Sequence, residues 1–278
     1  MHVKREDLAD ARIGGNKWRK LKYNLQRART INQSTLLTFG GAWSNHIAAT
    51  AAAGERFGFE TIGIIRGEAS TQRNPTLQFA RDCGMHLAFI DRATYRNKAS
   101  PAFIDELHRR YGDFYLLPEG GSNQLALKGC AEIVPDLDLD FDLVAVACGT
   151  GATLAGIVTA IKPEQHAIGF AVLKGAYFLS AAIRRMLVDA GHHSSSNWHI
   201  ETNYHFGGYA RTSTELFKFI KRFHSDFGIR LDAVYTGKMF FGLFDLISKG
   251  AFSRGTRIIA IHTGGLQGNA GFPELTFD

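Results

Sequence analysis

"DLVAVACGTGATLAG", residues Asp142–Gly156, joins a short apolar run to a Gly-Thr-Gly turn and then to a run of small, helix-compatible residues. The run up to Cys148 has no polar alternation, so both of its faces require cover, as in a strand of a parallel sheet. Gly149-Thr150-Gly151-Ala152-Thr153 then swings the chain into a helix, and such a turn wraps a phosphate in backbone amides and hydroxyls. The same rhythm extends in both directions. Strand-like runs stand at 35–39 (TLLTF), 61–66 (TIGIIR), 86–91 (HLAFID), 113–118 (DFYLLP), 166–173 (HAIGFAVL) and 257–262 (RIIAIH), with helical segments between them. The alternation predicts an α/β fold of parallel sheets covered by helices.

Composition narrows the class. With 278 residues and 45% hydrophobic content, the chain can bury one large core or two ordinary ones. The charged start MHVKRED and the lack of an apolar run of about 18 residues predict a soluble, unexported, cytoplasmic protein with no membrane partner. Cys83, Cys130 and Cys148 are far apart, which writes neither a disulfide framework nor a thiolate metal site. A net charge of +6, spread among acids, argues against nucleic acid but not against a small anion. The histidines of AGHHSSSNWH (190–199) match no ligand spacing and read as a solvated loop, so no metal is expected.

Three other turns bear on chemistry. In "IGGNKWRK" (13–20) the glycine pair could aim Lys17 at a ligand, although three cations in four residues also make an ordinary wet helix face. In "LLTFGGAWSNHIAATAAAG" (36–54) Ser44 opens an Ala-rich helix whose first amides would hold a carboxylate, or is simply a cap. Asn45 and His46 are polar where a helix entering a core normally turns apolar. "PEGGSNQ" (118–124) has the outline of a nucleophile elbow but carries Gln124 where a hydrolase has glycine. A helix capped by Ser122, with Asn123 near substrate, is the expectation there. The Phe-rich runs at 217–223 and 240–244 have helical spacing and suit core or dimer packing.

The 149–153 turn lacks the third glycine of a dinucleotide loop and the Gly-Lys-Ser/Thr of a Walker loop, which leaves a monophosphate. A monophosphate cup, a Gly-Asn-Lys and an amide donor together suggest pyridoxal 5′-phosphate. VKREDL, GGNKWRKLKYNL, GGAWSNHIAATAAAG, PEGGSNQLALKG, ACGTGATLAG, HFGGYA, LDAVYTGKMFFGLFDLISKG and IHTGG occur here in that order. In this the chain resembles the 1-aminocyclopropane-1-carboxylate deaminases and D-cysteine desulfhydrases, among the tryptophan-synthase-β-like pyridoxal enzymes, from Val3 to about Gly265.

The resemblance implies two open, twisted, mostly parallel sheets with helices on both faces. A large cofactor domain would comprise 1–19 and 129–278, a small inserted domain 20–128, with the cofactor between them, and the assembly would be a homodimer. Lys17 would bind the cofactor aldehyde, Asn45 its ring oxygen, Gly149, Thr150, Gly151, Ala152 and Thr153 its phosphate, and Thr263 its pyridine nitrogen. Ser44 and His46 would hold the carboxylate of a small amino-acid substrate, with Tyr209 and Tyr235 beside it. Members of the family carry further residues ahead of VKRED, so a shortened edge is expected at the start. The deaminases have an acid directly after the tyrosine, whereas this chain has Thr236. A neutral partner for the ring nitrogen makes a shallow electron sink, which suits β-elimination. The expectation is therefore conversion of D-cysteine to pyruvate, ammonia and sulfide, with cyclopropane opening or a degenerate ligand-binding protein as the alternatives.

Overall fold

A computed structural model describes residues 1–68, 74–193 and 196–277. Nine strands are described: β1 (His2–Arg5), β2 (Thr35–Gly41), β3 (Glu60–Arg66), β4 (His86–Ile90), β5 (Tyr115–Leu117), β6 (Leu143–Cys148), β7 (His166–Ala171), β8 (Trp198–Glu201) and β9 (Ile258–His262). The helices are α1 (Asn16–Thr30), α2 (Asn45–Phe57), α3 (Pro75–Asp82), α4 (Arg92–Arg96), α5 (Pro101–Tyr111), α6 (Gln124–Ala131), α7 (Ala152–Val158), α8 (Phe178–Asp189), α9 (Thr214–Phe227) and α10 (Thr236–Ser248).

The strands form two sheets, ordered β1-β9-β6-β7-β8 and β4-β3-β2-β5, and every strand pair described is parallel. The expected α/β architecture of two helix-covered parallel sheets is thus the one observed. Burial explains it. All six residues of β6 are buried, as its unbroken apolar run demands. One of its faces meets a core that includes Leu154, Ile157, Ile183 and Leu187, the other a core that includes Ile220, Phe223, Phe240 and Leu243.

By its contacts the chain divides into a unit of Met1–Lys20 with Ser122–Asp278 and a unit of Leu21–Gly121. Helix α6, which the expected boundary at 128 would cut, lies wholly in the first unit, where a Cβ on Gly129 would stand 1.8 Å from the Arg19 carbonyl oxygen. In the smaller unit, Leu37, Phe39, Ile62, Ile64, Tyr95 and Leu107 form the core.

Two expectations are corrected. Trp198 and His199 are not loop but the start of the edge strand β8, and His199 meets His166 of β7 at 2.9 Å. The rest of the 190–199 stretch is irregular where described, and 194–195 lie outside the described residues. Ser122 does not cap α6. Asn123 does, accepting the Ala126 amide at 2.9 Å.

Candidate active site

The turn before α1 is built from two backbone requirements. Gly14 and Gly15 have φ of +67° and +55°, values that side chains resist. A Cβ on Gly15 would also lie 1.9 Å from the Thr263 carbonyl oxygen, so only glycine lets the turn close on the end of β9. The Asn16 amide donates to that same carbonyl at 3.2 Å. Helix α1 then enters the core rather than water: Lys20 is 4% exposed, and Arg19 pairs with buried Glu6 at 2.9 Å and Asp136 at 2.6 Å. The wet-helix reading of KWRK therefore fails.

Partly buried Lys17 donates from Nζ to Asn16 Oδ1 at 2.7 Å, and Asn16 Nδ2 donates to Thr153 Oγ1 at 2.8 Å. This chain ties Lys17 to the Gly149–Thr153 turn. Burial above all, and then the nearby Lys20 ammonium, push the Lys17 amine down to about 7, with Cys130 and Asp232 partly opposing both. Burial also lowers Lys20 and raises Cys148 to about 12, so Lys20 is a second buried amine near the residue from which the turn departs.

At the turn, a Cβ on Gly149 would meet the Tyr235 ring at 3.2 Å. Ser122 Oγ donates to Thr150 Oγ1 at 2.6 Å. The first bond of α7 runs from the Ala155 amide to Gly151 O at 2.9 Å, so the amides of Ala152 and Thr153 precede the helical ladder. Tyr235 Oη donates to Tyr209 Oη at 3.4 Å, and the two rings meet edge to face. Asp232 sets the start of α10. It accepts the amides of Val234, Tyr235 and Thr236 at 2.9, 2.7 and 2.8 Å and the Thr236 hydroxyl at 2.6 Å. Thr236 is fully buried and turned to Asp232, while Thr263 is 7% exposed at the end of β9. Within this unit the structure therefore gathers Lys17, Gly149–Thr153, Thr263, Tyr235 and Tyr209.

Ser44, Asn45 and His46 belong to the smaller unit. Ser44 Oγ caps α2 through the Ile47 amide at 3.3 Å, and the turn before it is tied by Asn74 Nδ2 to Ala42 O at 2.8 Å. His46 is 2% exposed, with Nε2 at 2.8 Å from Thr38 Oγ1. Thr38 donates its proton to Leu117 O at 2.9 Å, so its oxygen accepts from His46 and the network assigns the Nε2–H tautomer. A neutral ring then offers an acceptor at Nδ1, so His46 would grip a carboxylate through that nitrogen only if it were protonated.

A family model described as pyridoxal-phosphate dependent enzyme matches residues 1–264. A bifunctional D-cysteine desulfhydrase/1-aminocyclopropane-1-carboxylate deaminase of Arabidopsis thaliana, named as mitochondrial, is 32% identical across 96% of this chain and 72% of its own length. The chain belongs to the 1-aminocyclopropane-1-carboxylate deaminase and D-cysteine desulfhydrase family of pyridoxal-phosphate enzymes. A D-cysteine desulfhydrase of Salmonella choleraesuis is 27% identical over 95% of this chain and 86% of its own. A crystal structure described as an ACC deaminase homologue superposes with a TM-score of 0.84 at 29% identity, covering 96% of this chain and 85% of that one.

Enzymes of this family use pyridoxal 5′-phosphate, and the residues of the larger unit fit it. A partly neutral amine suits an aldehyde, while the Thr150 hydroxyl, the turn amides and Lys20 suit a phosphate. Lys20, Asn16 and Asp232 were not singled out from sequence. Lys20 stands three residues after Lys17, on the same side of α1, and that spacing was the available signal. Among the described residues no helix is long and apolar enough to cross a membrane, and no three His, Cys, Asp or Glu are grouped to hold a metal.

Proposed function

We propose that this chain is a lyase that removes a β-leaving group from a small amino acid, with D-cysteine as substrate. Water is consumed, and pyruvate, ammonia and hydrogen sulfide are released. Pyridoxal phosphate, when bound, supplies an aldehyde for the substrate amine and a conjugated ring that accepts the electron pair left at Cα. The remaining work falls to the chain. Lys17 would hold the cofactor's aldehyde, and its neutral amine would take the Cα proton of the substrate. Asn16 aims that amine. Gly149–Thr153 and Lys20 would hold the phosphate, Asn45 the ring oxygen and Thr263 the ring nitrogen. Ser44, with His46, would fix the substrate carboxylate and so orient the bond that breaks at Cα. Tyr235, steadied by Tyr209, delivers a proton to the departing sulfur.

The observation that carries the reading is the commitment of Asp232. Its carboxylate is spent on three amides and the Thr236 hydroxyl, and the residue after the tyrosine is a threonine, which supports a site where the ring nitrogen would meet the neutral hydroxyl of Thr263 rather than an acid. A ring nitrogen left without an acidic partner would favour expelling a group at once over holding charge for ring opening.

The opposing reading, a 1-aminocyclopropane-1-carboxylate deaminase, draws on the double name of the Arabidopsis relative. Purified protein loaded with cofactor separates the two. Sulfide and pyruvate from D-cysteine, with little ammonia from the cyclopropane substrate, are expected. Ready ring opening with no sulfide release would overturn the proposal.

A further inference from the structure

At the carboxyl end of β3, within the Leu21–Gly121 unit, a cleft of about 540 Å³ is lined by Arg66, Arg92, Tyr95, Arg96, Lys98 and Glu119. Four cations thus face one carboxylate, and that carboxylate is already taken: Lys98 Nζ lies 3.1 Å from Glu119, which also accepts the Tyr95 hydroxyl at 2.8 Å. Among the described residues Arg66, Arg92 and Arg96 form no ion pair. A concavity walled by one sign of charge concentrates ions of the other sign.

The lining is also held in place. Tyr95 is 3% exposed and packs edge-on against Phe39, while its ring carries the Arg66 guanidinium at 5.6 Å and the Lys98 ammonium at 4.7 Å. With cations over that ring, the cleft offers charge rather than an aromatic face for recognition. Its volume falls in the range of small-ligand sites, about 300–1,000 Å³, and exceeds what a single tetrahedral anion fills. Arginine forks pair with phosphate oxygens two at a time, and lysine adds a point charge. We propose that this cleft binds a polyphosphate anion, through residues other than those of the Gly149–Thr153 turn. Arg66 stands opposite Gly41 in register, and its Nη2 lies 3.8 Å from where a Cβ on Gly41 would be, so an occupant drawing on Arg66 acts beside the turn that opens α2.

Calorimetric titration of the cofactor-loaded protein with sodium tripolyphosphate tests this independently of any substrate. Binding that weakens with added salt is expected, and it should fall by about tenfold or more in an Arg92→Ser, Arg96→Ser double variant. Both side chains are exposed, so the melting temperature of that variant should match the parent. No heat of binding, equal binding by the double variant, or binding confined to the cofactor-free protein would each overturn the proposal. The last result would put the anion in the cofactor's own phosphate turn.

Discussion

Gly14-Gly15 before Lys17 and Gly40-Gly41 before Ser44 are the same dipeptide at the mouths of two turns, and they answer different demands. The first pair is required by the backbone: both φ values are positive, and Gly15 lies against the Thr263 carbonyl with no room for a Cβ. Neither residue of the second pair has a positive φ. A Cβ on Gly40 would meet side chains instead, Ile47 Cγ1 at 2.5 Å and Ser44 Oγ at 2.8 Å, so that glycine lets α2 settle onto the end of β2. Backbone cannot move out of the way as side chains can, and the two turns should therefore differ sharply in what they tolerate.

The largest effect is expected where the rigid turn delivers its lysine. Lys17→Ala should abolish the visible absorbance of bound cofactor and lower turnover on the order of 10³-fold, because both the attachment point and the proton acceptor are lost. Retained absorbance with activity near wild type would remove Lys17 from the site.

The depressed amine adds a pH signature. Its folded value of about 7 lies below the unfolded lysine value of about 10.4, so between those limits the unfolded chain holds the extra proton. Stability of the cofactor-free protein therefore rises with pH across that window and is lost on descending it, by up to about 1.4 kcal/mol per unit. Lys238, lowered to about 8 by burial, and Lys20 act in the same direction, so the comparison to make is with Lys17→Ala, whose urea midpoint should climb less between pH 7 and 10. Cofactor uptake should slow below about pH 7, where the amine is an ammonium.

Next come the glycines themselves. Gly15→Ala should cost about 4 kcal/mol, from strain at positive φ added to a backbone clash, and it should weaken cofactor retention as the turn parts from Thr263. Gly40→Ala should cost about 2 kcal/mol, the scale of overpacking that Ile47 and Ser44 partly relieve by shifting. Equilibrium urea unfolding of the two variants side by side checks the order, and a reversed ranking would undo the contrast between the turns.

The sheets were legible because β6 and its neighbours are short apolar runs with no alternation, which fits burial on both faces. Strand β8 was not, because Trp-His-Ile-Glu at a sheet edge alternates polar residues beside a loop rich in serine and histidine. Ser44 was readable as a cap from its place before an Ala-rich helix. The choice of Ser122 over Asn123 went wrong because both are good caps and only the fold, which turns Ser122 to Thr150 and Asn123 to the Ala126 amide, separates them. Lys20 was hidden by its company: among Lys17, Arg19 and Lys22 it looks solvated, and only the path of α1 into the core buries it. Asp232 was hidden because an acid four residues ahead of Thr236 has no motif of its own until the turn folds it back onto α10.

The smallest effect is assigned to Gly41→Ala, and it tests the contrast most finely. Gly41 shares its dipeptide with Gly40, yet the nearest atom to an added Cβ is Arg66 Nη2 at 3.8 Å, an ordinary contact with the far end of a flexible side chain. Its φ is one that alanine accepts, and alanine narrows the unfolded ensemble relative to glycine. The two terms leave stability within about 0.5 kcal/mol of the parent, on either side. A loss as large as that of Gly40→Ala would mean that the pair acts as one backbone hinge after all, and that the second turn resembles the first.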